Sequence, residues 1–218
     1  MKILKLILIG MLFLLSIGYM TAIFDLSLPL LEFPVSLKLF GYGSAAFVLF
    51  WLLFRKRFMY TFAVFEHELT HVLVAKLFLL KTLHFQVSPR KHVEGQVVVG
   101  VQGRGIVTRT ISVFFSLAPY YIPTLTLLVF AIYPVLSQRM YPVFFFIVGF
   151  TLTYHLLTIF LEFGFHQADI QRHGEYFSTA FILLGNILFV GLVLSVVAHE
   201  GFRNVPGFLL RGVLNVFG

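Results

Sequence analysis

His67-Glu68-Leu69-Thr70-His71 combines residue types and a spacing that could hold a metal ion and set it to work. On a helix, residues four apart share a face, so both imidazoles can grip one cation. Glu68 would then lie beside the metal, placed to take a proton from a bound water. The pattern arises by chance in on the order of one in a hundred chains of this length, so its setting matters. That setting is an apolar run over residues 58–80, where Glu66, His67, Glu68 and His71 are costly to bury and mark a functional site. Glu66 points off the metal face and takes no catalytic role.

A zinc ion that does hydrolytic work takes three protein ligands and keeps a fourth position for water. The third donor must come from elsewhere, and His155, Glu162, His166, Asp169 and Glu175 are the candidates. A carboxylate is favoured because it offsets the metal charge in a low-dielectric site, but the residues alone do not choose among the five. His155 reads equally well as a donor behind the metal ligands or as a histidine bonded inside the helix bundle.

The elements that must position these groups are written in the composition. The chain has 218 residues, of which 59% are hydrophobic and only 11% charged, and its mean hydropathy is +0.96. A water-facing domain carries about 25% charged residues, so this is a membrane protein by composition. The net charge of +7 comes from short basic clusters such as Arg55-Lys56-Arg57 and Arg90-Lys91, which suit lipid head groups better than nucleic acid. With no cysteine, disulfides, thiolate ligands and a cysteine nucleophile are excluded. No N-x-S/T acceptor occurs either.

The fold expected is an all-α membrane protein of about six transmembrane helices, over residues 6–24, 39–54, 58–80, 110–137, 140–161 and 176–198. The first, uncharged over 19 residues behind Lys2 and Lys5, reads as a retained span and not a cleaved signal. Pro119 and Pro123 should kink or break the fourth. A small β-hairpin or sheet is expected in the polar loop from Lys81 to Arg109. There Val97, Val99 and Val101 alternate, 83–88 and 106–108 look extended, and Gly95, Gly103 and Gly105 punctuate. One membrane domain spans 1–218: two N-terminal spans over 1–57, a core over 58–185, and a tail over 199–218 that could lie along the interface. The basic residues on both sides leave the orientation undecided.

Residues 66–75, Glu66-His67-Glu68-Leu69-Thr70-His71-Val72-Leu73-Val74-Ala75, resemble the motif helix of the site-2 protease family of intramembrane zinc metallopeptidases. The resemblance covers roughly 58–185. It matches the family's short β-region to 83–108 and its A-G-P-like turn to Leu117-Ala118-Pro119. It implies Zn2+ held by His67, His71 and an aspartate on a later span, for which Asp169 is the best positional match. The chain departs from the pattern at that aspartate, where neither L-D-G nor N-P-x-D-G occurs and Gly174 lies five residues on. Asp169 also follows the uncharged run ending at Leu161 by eight residues. To meet His67 inside the bilayer, either the fifth helix sits deep or the chain after Gly164 folds back.

The implied activity is a zinc metalloendopeptidase cleaving membrane-protein or peptide substrates, with Glu68 as general base. The chain is expected in a bacterial inner membrane, with a regulatory membrane partner and no nucleic acid. A prenyl-protein-processing gluzincin would need a Glu where Phe165 stands. The alternative is a membrane metal-ion transporter or a non-catalytic metal-binding membrane protein, although transporters of this kind show internal repeats that this chain lacks.

Overall fold

The computed structural model describes residues 2–54, 58–79, 81–86, 96–100 and 105–217. In chain order the helices are α1 (Lys2–Asp25), α2 (Ser27–Leu31), α3 (Val35–Phe54) and α4 (Phe58–Leu77), followed by strands β1 (Lys81–Gln86) and β2 (Gln96–Gly100). Then come α5 (Ile106–Leu117), α6 (Thr124–Ile132), α7 (Tyr141–Glu162), α8 (Ala168–His173), α9 (Glu175–Ala198) and α10 (Val205–Leu214).

Among the described residues, four helical segments are long and apolar enough to cross a membrane: Ile3–Leu31, Val35–Phe54, Gln138–Leu161 and Glu175–Ala198. The chain is therefore a mainly helical membrane protein, and of the six spans expected these four pass on length and apolarity. The segment at 110–137 is two helical pieces meeting at 91°, and counting them as one span raises the number to five. The cause is local: Pro119 and Pro123 each remove a backbone donor, and a single 3₁₀ turn, Ala118–Tyr120, bridges the break. Helix α4 has the length but not the apolarity, because Glu66, His67, Glu68, Thr70 and His71 interrupt it.

Two pairs of long helices form the frame. Along α3 and α7 the backbones approach so closely that a methyl group at Gly43 would overlap the Phe146 carbonyl, and one at Gly149 the Phe40 carbonyl. Small residues of this kind let helices associate where lipid removes the hydrophobic drive. Helix α1 lies against α9 and α10. The tail helix α10 is tucked in, with Phe208 buried and its ring 5.7 Å from Tyr19. The largest core joins Phe130, Phe144, Phe145, Val148 and Leu152 to Val193, Val196 and Val197 of α9. Two polar pairs tie the helices around it: Ser36 donates to the Val197 carbonyl at 2.6 Å and Thr126 to Thr151 at 3.0 Å.

Beside α4, β1 and β2 pair antiparallel, with a register shift between Thr82 and His84 where the strand bulges. Val101 lies outside the described residues. Residues 106–108, expected to be extended, open α5 instead. Gly105 precedes them in extended conformation, and the run that follows has one apolar face along a helix.

Candidate metal centre

Helix α4 runs unbroken through the motif, so His67 and His71 rise from one face with ring centroids 5.1 Å apart. Packing limits both rings. His67 meets the Tyr120 ring edge to face at 5.3 Å, and His71 lies 4.8 Å from the Phe115 ring. The Nδ1 of His71 is 3.0 Å from the Phe115 carbonyl oxygen. A carbonyl only accepts, so Nδ1 carries the proton and Nε2 keeps its lone pair toward the site. Behind the same helix, the Thr70 hydroxyl lies 2.9 Å from the Glu66 carbonyl and 2.5 Å from the Thr124 hydroxyl, tying α4 to the start of α6.

Asp169 reaches these rings because the chain folds back. Helix α7 stops at Glu162, Phe163 turns extended, and the Gln167 amide donates to the Gly164 carbonyl at 3.0 Å. The six-residue α8 follows, and Ile170 plugs fully buried into a cluster with Val74, Leu117 and Ala118. Gly174, at φ +87°, then redirects the chain into α9; that left-handed value is one that a side chain would resist.

The Asp169 Oδ2 lies 3.6 Å from the His71 Nε2 and 3.9 Å from the His67 Nε2. One ligand atom from each of the three residues falls within 4.8 Å of the others. Zinc bonds of about 2.0–2.2 Å in a tetrahedron separate ligand atoms by roughly 3.3–3.6 Å, so little closure is needed around an ion. Two nitrogens and one carboxylate oxygen form a donor set used by catalytic zinc, with a fourth position left for water. Burial alone would raise the Asp169 pKa. The hydrogen bonds and charge of His67 and His71 outweigh it and hold the carboxyl well below the usual carboxylate range. Glu68 is buried next to His67 on the same helix.

The other candidates for third donor fall elsewhere. His155 is buried in α7 beside Tyr154, whose ring packs edge-on against Phe47 at 5.7 Å, and is not one of the three converging residues. The His166 ring folds against Gly164, and Glu175 is exposed at the start of α9. The Glu162 side chain lies outside the described residues.

Several contributors were not singled out in the sequence. The Phe115 carbonyl sets the tautomer of His71, Tyr120 walls His67, and Ser116 pairs with His173. A main-chain carbonyl carries no sequence signal. The spacing Asp169-x-x-x-His173, one helical turn, was a legible one.

Comparison with known proteins found no matching family model, no similar curated protein and no similar solved structure.

Proposed function

We propose that this chain is an intramembrane zinc metalloprotease that hydrolyses peptide bonds of membrane-protein substrates. One observation carries the reading: two imidazoles from a single helix turn and a carboxylate from a distant short helix converge within 4.8 Å. Zinc held by His67, His71 and Asp169 would polarise a scissile carbonyl and make a water acidic enough to attack at neutral pH. Glu68 is the base that takes the proton of the attacking water and hands it to the leaving amine. The Phe115 carbonyl keeps His71 in the ligating tautomer, and Asp169 supplies negative charge that partly offsets the cation.

A helical substrate hides its peptide bonds, so it has to be held extended before attack. Among the described residues the sheet beside α4 has two strands, and β-addition at its edge would present an unwound segment with little demand on its sequence. A cysteine-free chain of this composition suits a bacterial inner membrane.

The deciding experiment compares purified wild type with Glu68→Gln for zinc content and for cleavage of a membrane-embedded model substrate. The variant is expected to retain about one zinc per chain while losing at least ~10³-fold in activity. Cleavage by Glu68→Gln at the wild-type rate sinks the proposal. Zinc flux into vesicles that His67→Ala abolishes, with no proteolysis by any form, would favour a transporter.

A further inference from the structure

Helix α8 carries Asp169 yet is only six residues long. Isolated helices shorter than about 12 residues do not hold themselves in water, so the position of Asp169 is set by whatever anchors α8. One anchor is Ile170, described above. Others are the Ser178 hydroxyl, which donates to the Ile170 carbonyl at 3.0 Å, and a contact one turn beyond Asp169. The His173 Nε2 is 2.6 Å from the Ser116 hydroxyl, and that serine is fully buried. The Ser116 hydroxyl spends its single proton on the Ser112 carbonyl at 2.5 Å, so the His173 ring donates through Nε2. From outside, the Lys5 ammonium donates to the His173 carbonyl at 2.6 Å and lies 5.9 Å above the Phe177 ring. A methyl group at Gly174 would come within 2.7 Å of that Lys5 nitrogen, so the glycine leaves room for the lysine.

Helix α5 therefore serves both halves of the metal centre with adjacent residues. The Phe115 carbonyl orients His71, and Ser116 fastens the helix that bears Asp169. We propose that His173, clamped to Ser116 and braced by Lys5, is a positioning residue that holds Asp169 in reach of the metal. The brace makes α1, which lies outside the segment resembling a metallopeptidase, part of the site's support. This inference rests on the zinc reading, and its test separates the two.

The test uses full-length protein in detergent with His173→Phe, His173→Gln and Lys5→Met. Two quantities are measured: amide hydrogen exchange of residues 168–173 without metal, and the zinc dissociation constant by competition with a chromophoric chelator. His173→Phe keeps the bulk but not the donor; it should speed exchange in α8 and weaken zinc binding about 10–100-fold. His173→Gln, whose amide can donate to Ser116, should restore both to within about threefold. Lys5→Met, on an exposed side chain that leaves the core intact, should shift both in the same direction by a smaller factor. It decides the matter if His173→Phe does not fold. Unchanged exchange overturns the clamp. Faster exchange with unaltered zinc affinity reduces His173 to a structural role and overturns it too. If the wild type takes up no zinc, the metalloprotease reading fails. The exchange data then judge the clamp alone: faster exchange in His173→Phe, reversed in His173→Gln, upholds it, and unchanged exchange overturns it.

Discussion

The frame of long spans and the region around His67 are built by opposite rules. In the frame, α3 and α7 run past each other at full length, apolar residues face outward in quantity, and glycines bring the two backbones into contact. Around the site, α4 is interrupted by acids and histidines, the 110–137 segment breaks at its prolines, and α8 is a fragment. A hydrocarbon solvent rewards regular helix, because every backbone group must be satisfied internally. Chemistry needs the reverse: groups from different parts of the chain converging on one point, which only broken elements allow. The frame supplies the rigidity and the breaks supply the convergence.

The contrast is tested most severely by removing donors. His71→Ala should lower zinc affinity by at least ~10³-fold while far-UV circular dichroism stays at the wild-type value, since the spans do not depend on the ion. Collapse of the helical signal in that variant would mean that frame and site are one cooperative unit.

The reciprocal substitution comes next in size. Gly43→Ala places a methyl group against the Phe146 carbonyl, and overpacking of this kind costs about 1–3 kcal/mol. Thermal unfolding in detergent should shift down accordingly, with zinc affinity within threefold of wild type. A large loss of affinity would show that the α3–α7 seam sets the site geometry.

A smaller effect tests the join between α4 and α6. Thr70→Val keeps the shape but deletes the hydroxyl that lies 2.5 Å from the Thr124 hydroxyl. Hydrogen bonds between helices in membranes average about 0.6 kcal/mol, and a destabilisation near that size is expected from equilibrium unfolding.

The smallest effect is a pH dependence. The folded Asp169 carboxyl is held below its ordinary value of 3.8 by His67 and His71, although burial acts the other way. A depressed carboxylate adds stability above its unfolded pKa and loses it as pH falls through the folded value. In metal-free protein, the stability gap between wild type and Asp169→Asn should be widest above about pH 4, where the carboxylate is charged in the folded and unfolded chain alike. The gap should close at lower pH. A gap that ignores pH would show that the Asp169 carboxylate adds no stability by facing the two imidazoles.

Membrane residence, the positions of the four long spans and the break at Pro119 and Pro123 were legible in the chain, because apolar length and missing backbone donors act locally. The pairing of His67 with His71 was legible for the same reason, a periodicity of one turn. Of the six spans expected, four described helices pass on length and apolarity and the broken segment makes a fifth; α4 has the length alone, because there an apolar run frames a polar centre. Residues 106–108 were misjudged as extended, since a short β-branched stretch fits either period until its neighbours are seen.

Tertiary structure decided the rest. Asp169 carries no more local signal than Glu162 or Glu175. It stands by His71 because Ile170 finds a buried socket and Gly174 turns the chain. Which ring nitrogen of His71 faces the site depends on a carbonyl of α5, and what steadies α8 depends on Ser116 and Lys5, remote in sequence. Local spacing can place two donors on one helix face, but bringing a third to them requires long-range packing.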